Sequence, residues 1–253
     1  MVAHEVALFA LPIFQRELFS TYFLLPAWTT FWITMVSMPI GVVLGLLGAL
    51  GRVSRIPVLR WVVAGYLWVF RGTPVLVQIV FWYFGTAELT GNFVNLPAVV
   101  AGVLALGVNE GAYMTEIVRA GLLSVDTGQQ EAARALGMTY RQTMRRIVVP
   151  QALQVIIPPT GNEYISMLKT TSLLYIIAIP ELFATAASLY SSDFRYFEAL
   201  SVVSMWYLFL TSILSMVQRR LEDRYGAGRM DFARDSRGSL SRMFGFGATR
   251  GAR

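Results

Sequence analysis

The 253-residue sequence contains no cysteine and a single histidine, His4. Without cysteine the chain forms no disulfide and no thiolate metal site, and one histidine cannot assemble a histidine metal cluster within the chain. A Ser/His/Asp set, an H-E-x-x-H motif and a G-x-x-x-x-G-K-S/T nucleotide loop are also missing from the sequence. We therefore predict that the chain is not an enzyme, has no catalytic or metal-binding residue, and binds no cofactor of its own.

Charged residues are scarce as well, at 14% of the chain against 55% apolar residues. Residues 18–51, 89–109 and 199–218 contain none, and each run reaches the roughly 18–20 residues that a helix needs to cross a bilayer. The apolar runs are continuous rather than alternating, which favours helices over barrel strands. The sequence predicts an all-α membrane protein with five transmembrane helices, at about 24–50, 60–84, 96–118, 155–180 and 198–218.

The net charge of +6 is concentrated in alternate connections between these predicted spans. Arginines lie between spans one and two and between spans three and four, and nine more, from Arg219 to Arg253, follow span five. The connection at 85–96 contains neither lysine nor arginine. The positive-inside rule then places the N-terminus outside and the C-terminus in the cytoplasm. The distribution of positive charge is therefore explained by membrane topology rather than by nucleic-acid binding.

Three regions follow from this topology. Residues 1–23 form an N-terminal lead-in segment, and residues 24–218 form the transmembrane domain, with a cytoplasmic loop at about 124–150. Residues 219–253 form a basic cytoplasmic tail, whose Gly, Arg and Ser content predicts disorder.

The cytoplasmic loop contains the most informative stretch, EAARALGMTYRQTMRRIVVP at 131–150. It predicts a short helix from Glu131 to Leu136 that ends at Gly137, and a basic helix from Tyr140 to Val149 that Pro150 stops. A helix–glycine–helix element at a membrane surface, without catalytic side chains, is suited to binding another protein.

Polar side chains inside a bilayer are costly, so those within the spans are candidates for a solute path. In span two, Gly72 and Pro74 disfavour a straight helix, and Thr73 is predicted to cap a new half-helix beside Arg71. Arg71 either lines a site or pairs a structural acid. Other polar groups lie in spans three and four, where Glu116 is expected to pair with Arg119 and where small hydroxyls can serve only to join helices. The candidate path residues are Arg71, Thr73, Gln78, Asn109, Glu110, Asn162, Glu163, Ser166 and Lys169.

The spacing within 131–150 resembles the EAA loop of ABC-importer permeases, in which Glu-Ala-Ala is followed by Gly and then by Ile-x-Leu-Pro. The matching positions are Glu131, Ala132, Ala133, Gly137, Ile147 and Pro150, and Val149 stands where leucine is usual. Blocks at 70–78, 109–121 and 148–173 look like the polar amino acid permeases of type I ABC importers, which include the histidine, glutamine and arginine permeases. The resemblance runs from about Trp28 to Val217.

This resemblance implies a multi-pass inner-membrane permease of the methionine-importer-like fold, working as a homodimer or heterodimer. It implies two ABC ATP-binding subunits, which hold ATP-Mg, and an extracytoplasmic solute-binding protein that delivers a polar amino acid. The residues that would couple to the ATPase are Glu131, Ala132, Ala133, Arg134, Leu136, Gly137, Ile147 and Pro150.

Two other classes of protein are weaker alternatives. A secondary transporter of amino acids or related zwitterions would show inverted repeats, which the sequence lacks, and would have no use for the basic docking loop. A membrane enzyme or receptor would need a reactive cluster or a ligand-facing soluble domain, and neither is found in the sequence.

Overall fold

The first long helix is preceded by a turn of 3₁₀ helix. The computed structural model describes residues 14, 16, 18 and 20–243, so most of the predicted lead-in segment 1–23 lies outside it. The hydroxyl of Ser20 accepts from Tyr22 N and caps the 3₁₀ turn Thr21–Phe23. Helix α1, Leu24–Val53, follows directly and contains Pro39 without a break.

The second predicted span is two helices rather than one. Helix α2, Pro57–Gly72, is followed by α3, Val75–Val80, which continues through a π-helical turn, Phe81–Gly85, into α4, Thr86–Leu89. The two arms are bent by 105°. Thr73 is extended, at φ −118° and ψ 146°, because the proline that follows it disfavours the helical region.

The third span is a single helix, α5, Ala98–Leu123. A loop helix, α6, Thr127–Ala135, comes next, and its N-terminus is capped by the Asp126 carboxylate, which accepts from Gly128 N. The predicted start at Glu131 is therefore wrong by four residues, because Asp126 supplies the cap one turn earlier. Gly137 follows the helix with a φ of +76°, the left-handed conformation that favours glycine.

Pro150 does not stop the second loop helix, contrary to the prediction. Helix α7, Tyr140–Thr143, passes through a π-helical turn, Met144–Val148, into α8, Val149–Thr170. Pro150 lies in the first turn of α8, directly after the π turn. In a regular α-helix its ring would clash with the carbonyl of Arg146, and the wider turn gives it room.

The fourth span is also bent, by 50°, after a 3₁₀ segment, Thr171–Ile177. Helix α9, Leu182–Asp193, is capped by the buried Glu181, whose carboxylate accepts from Phe183 N and Ala184 N. The hydroxyl of Tyr207 donates to the same carboxylate at 2.8 Å, which ties α9 to the last helix.

The last helix, α10, runs over Tyr196–Met243. The helix continues past the predicted span end at residue 218, as far as Met243. Opposite charges three and four residues apart stabilise an exposed helix. Residues with this spacing are Arg219, Arg220, Glu222 and Asp223.

Within the described residues, three helices are long and apolar enough to cross a membrane, and five spans result if each bent pair counts as one. Helices α1 and α5 form the closest pair, because glycines on both allow their backbones to approach. A Cβ atom at Gly45 would lie 2.8 Å from the Met114 carbonyl carbon, and one at Gly107 would lie 3.1 Å from the Ser37 oxygen. Helix α8 packs against α5, and α10 packs against α8.

Candidate functional site

The break between α2 and α3 is stabilised by side-chain hydrogen bonds. The buried amide of Gln78 donates from Nε2 to the backbone oxygens of Phe70 and Thr73, at 3.0 and 3.2 Å. Asn109 on α5 donates from Nδ2 to Phe70 O at 2.9 Å and to Gln78 Oε1 at 3.0 Å. These two amides satisfy carbonyl groups that the interruption leaves without helical partners.

Thr73 does not cap the new half-helix, contrary to the prediction. Its hydroxyl donates to Val69 O at 2.8 Å, within the helix that ends, and accepts from Gln78 Nε2 at 2.9 Å. Pro74 occupies the N-cap position of α3 and has no side-chain hydrogen bond to offer. The bend therefore depends on Gln78 rather than on a threonine cap.

A cavity of about 510 Å³ lies beside this break, between the broken span, α5 and α8. Three ionisable side chains line it, one cationic and two acidic, together with amide, hydroxyl and phenol groups. The charged and polar lining residues are Arg71, Thr73, Asn109, Glu110, Tyr113, Glu163, Ser166 and Thr170. The walls are completed by Gly72, Pro74, Val75, Leu106 and Met167.

The charged groups of the cavity are not neutralised by one another. Arg71 is exposed and makes no salt bridge with a described residue, and its guanidinium carbon lies 5.6 Å from the centroid of the Tyr113 ring. Glu110 is 6% exposed, and its Oε1 has no hydrogen-bond partner among the described residues. The side chain of Glu110 packs on Gly41, where a Cβ atom would lie 2.7 Å from its Cγ. A free guanidinium and free carboxylates in one cavity can bind a solute with both charges.

Six of the nine candidate path residues line this cavity, and three do not. Glu163, Ser166 and Thr170 form one face of α8 and point to the cavity, whereas Asn162 and Lys169, on the adjoining strip, are exposed outside it. The side chain of Asn162 accepts from Gln218 Nε2 at 3.0 Å, so it joins α8 to α10. Gln78 lies behind the break and supports it. The predicted pair of Glu116 and Arg119 is confirmed, at 2.6 Å.

Some lining residues were not among the predicted path residues. Tyr113 had a detectable signal, because it follows Asn109 by four residues and therefore shares its helical face. Leu106 and Met167 had none, since an apolar side chain in a membrane helix is equally consistent with packing, lipid contact or a cavity wall.

The loop helices form a second exposed surface. Ala133 is buried against the fold, while Glu131, Ala132, Arg134 and Leu136 are exposed. Leu136 is 82% exposed and Tyr140 is 74% exposed, on either side of Gly137. Beyond them Ile147 is half-buried and Pro150 is exposed. Leu136 and Tyr140 are thus a large aliphatic and an aromatic side chain exposed among arginines, which suits contact with a protein partner.

Two curated relatives align with most of the chain. The arginine transport system permease protein ArgU of Corynebacterium glutamicum is 44% identical over 228 residues, which cover 85% of this chain and 72% of that protein. The glutamine transport system permease protein GlnP of Escherichia coli is 36% identical over 195 residues, covering 77% of this chain and 89% of that protein.

Solved structures of ABC transporters also superimpose on this chain. A chain of an amino acid ABC transporter crystallised with histidines superimposes with a TM-score of 0.74 at 39% identity, over 80% of this chain and 94% of that one. The MetNI methionine ABC transporter has the same fold, with a TM-score of 0.66 at 22% identity, over 81% of this chain and 96% of that one. The profile of the binding-protein-dependent transport system inner membrane component matches residues 37–226. The chain therefore belongs to this family of multi-pass inner-membrane permeases.

Proposed function

We propose that this chain lines the translocation path of an ATP-driven importer of polar amino acids. The observation that supports this most is the cavity at the break of the second span, where Arg71, Glu110 and Glu163 are close together without neutralising one another. Relatives named as arginine and glutamine transport permeases, at 44% and 36% identity, support an amino acid as the solute.

The two ends of a zwitterion match the two kinds of charge in the cavity. Arg71 would bind the solute carboxylate through its guanidinium, which offers paired donors. Glu110 or Glu163 would bind the ammonium group, and the Ser166 hydroxyl would add a hydrogen bond. A charged side chain in a membrane span that lacks a protein partner is stabilised when a solute group of opposite charge binds it.

The remaining parts of the transporter would be separate polypeptides. A second permease subunit, identical or homologous, would complete the path, and an extracytoplasmic solute-binding protein would deliver the amino acid. Two ATP-binding subunits would hold ATP-Mg and contact the exposed surface at Leu136 and Tyr140. In this arrangement the N-terminus is outside and the loop helices and C-terminus are cytoplasmic, as the distribution of arginines favours.

Continuity of the helix supports coupling between the two surfaces. From Tyr140 the helical path runs through the π turn and α8 to Ile177, and α8 itself contributes Glu163 and Ser166 to the cavity. Closure of the ATPase subunits against the loop would displace α8 and bias the permease between outward- and inward-facing packings.

Replacement of the two carboxylates tests this proposal. In a reconstituted complex with its ATPase and solute-binding subunits, Glu110→Gln and Glu163→Gln should each lower amino acid uptake, and the double variant should lower it by about tenfold or more, because charge-assisted hydrogen bonds are lost. Radiolabelled uptake and ATP hydrolysis are measured together.

Glu116→Gln is the matched control, since Glu116 pairs with Arg119 and does not line the cavity. Uptake at the normal rate by the double variant would remove the carboxylates from the path. Uptake that continues without ATPase subunits would instead favour a secondary transporter.

A further inference from the structure

An arginine of the broken span lies over a tyrosine of α5 at the cavity. Arg71 belongs to the last turn of α2 and Tyr113 to the middle of α5, and both line the cavity. The guanidinium carbon of Arg71 is 5.6 Å from the centroid of the Tyr113 ring. A cation within about 6 Å of a ring centroid is attracted to the negative face of the ring. The contact therefore links the two elements electrostatically.

Two acids of α5 lie one helical turn from Tyr113, and neither pairs with Arg71. Glu116, three residues later, is held by Arg119, whose Nε and Nη2 donate to Glu116 Oε2 at 3.0 and 2.6 Å. Glu110, three residues earlier, makes no salt bridge with any residue that the structure describes. Within that part of the chain, the ring of Tyr113 is therefore the partner of the Arg71 guanidinium.

An aromatic partner leaves a guanidinium free to bind an anion. The five N–H donors of arginine form a planar fork, whereas the attraction to an aromatic ring needs none of these donors. A carboxylate partner would instead occupy two of them in a bidentate pair. An arginine held by a tyrosine ring can therefore still offer paired donors to a solute carboxylate.

The surroundings of Tyr113 do not require it for packing. It is 38% exposed, and it belongs to none of the apolar core clusters that the described residues form. Its hydroxyl makes no hydrogen bond with a residue of the described ranges. The contact with Arg71 thus depends on the ring, which phenylalanine would keep and leucine would remove.

We infer that Tyr113 is a positioning residue, which holds the Arg71 guanidinium in place with its donors free for the solute carboxylate. The inference rests on the proposed function, since it takes Arg71 as the carboxylate ligand. The side chain of arginine is long and flexible, so fixing it before the solute arrives lowers the entropy that is lost on binding. Tyr113 therefore increases the affinity for the solute by acting through Arg71.

Uptake kinetics of the whole reconstituted transporter test this role, with radiolabelled arginine as the probe. Tyr113→Leu should raise the KM about threefold to tenfold, because a cation–π contact is lost, and should leave kcat and the unfolding temperature unchanged. Tyr113→Phe should stay within about twofold of the wild-type KM, because the ring is retained. If Tyr113→Phe raised the KM as much as Tyr113→Leu, the hydroxyl would be the functional group and the inference would be wrong.

A double-variant cycle separates action through Arg71 from direct contact with the solute. Arg71→Gln keeps a polar side chain and removes the cation. In that background Tyr113→Leu should change kcat/KM by less than about twofold, because the group that the ring holds is already absent. A further loss of roughly threefold or more would show that Tyr113 contacts the solute itself, and would refute the positioning role.

Tyr225→Leu is the matched control, because Tyr225 is 41% exposed on α10 and does not line the cavity. It should keep the wild-type KM. Equal kinetics of Tyr113→Leu and Tyr225→Leu would overturn the role of Tyr113 and leave the proposed function standing. A wild-type complex that takes up no polar amino acid would overturn both.

Discussion

At the scale of single residues, Gln78 illustrates why polar side chains in a membrane span are ambiguous. The sequence predicts Gln78 as a path residue, and the structure places its amide against two backbone carbonyls of the helix break. A side chain that supports a helix break cannot be told from one that faces the solute by sequence alone. Both are uncharged polar residues in an apolar run. Only the position of the partner atoms separates them.

Replacing Gln78 by leucine should therefore affect stability and transport together. Gln78→Leu leaves the Phe70 and Thr73 carbonyls without these donors, at an expected cost of about 1–2 kcal/mol, and it releases the segment that holds Arg71. Thermal unfolding of the purified complex and the KM for uptake are the measurements.

Ser166→Ala provides the comparison, because Ser166 lines the cavity and supports no described carbonyl through its side chain. It should raise the KM and leave the unfolding temperature unchanged. If Gln78→Leu behaved in the same way as Ser166→Ala, Gln78 would be a solute ligand rather than a positioning residue.

The charged members of the site were the most predictable residues. Arg71, Glu110 and Glu163 are conspicuous in apolar sequence, because burial of an unneutralised charge in a membrane needs a cavity or a partner. The capping role of Thr73 was predicted wrongly, since its hydroxyl donates to Val69 O in the preceding helix and accepts from Gln78 Nε2 rather than from a backbone N–H of α3.

At the scale of the elements, the positions of the spans were predictable but their interruptions were only partly so. Gly72 and Pro74 signalled the 105° break, as Pro restricts the residue before it. The continuation of the helix through Pro150 had no such signal. A π turn at Met144–Val148 accommodates the proline, and π turns depend on tertiary packing more than on local composition.

Each glycine at the contact between α1 and α5 should contribute separately to the stability of the protein. A Cβ atom at Gly45 would lie 2.8 Å from the Met114 carbonyl carbon, so Gly45→Ala should destabilise the protein by about 1–3 kcal/mol through overpacking. Gly65→Ala on α2 is the matched control, because nothing lies within 4 Å of its added Cβ. It should be neutral or slightly stabilising. Equal unfolding temperatures for the two variants would contradict the close contact of α1 and α5.

The turn between the loop helices should be sensitive for a different reason. Gly137 has a φ of +76° and nothing within 4 Å of an added Cβ atom, so we expect Gly137→Val to act mainly through backbone strain of about 1–2 kcal/mol. The shifted turn should uncouple ATP hydrolysis from uptake, measured as the ratio of solute transported to ATP consumed. Ala135→Val, on the exposed end of α6, keeps the turn and should keep the ratio. An unchanged ratio in Gly137→Val would refute the coupling role.

At the scale of the whole molecule, the proposed orientation can be tested because the chain is free of cysteine. Single thiols at the exposed Leu136 and Phe93 lie in the predicted cytoplasmic and external connections, and both side chains are more than four fifths exposed. In right-side-out vesicles a membrane-impermeant maleimide should label Phe93→Cys and should label Leu136→Cys only after permeabilisation. The reverse pattern would invert the topology and remove the loop from reach of an ATPase.

The π turn that precedes α8 has a geometric consequence for the whole transporter. An α-helix turns by about 100° for each residue. One additional residue in a single turn therefore rotates the residues on one side of that turn by about 100° about the helix axis, relative to regular winding. The loop helices are thus set about 100° around the helix axis from the direction that uninterrupted winding from Tyr140 would give them. Deleting one residue between Met144 and Val148 would turn the π turn into a regular α-helical turn and would keep the cavity and the loop surface in phase with one another.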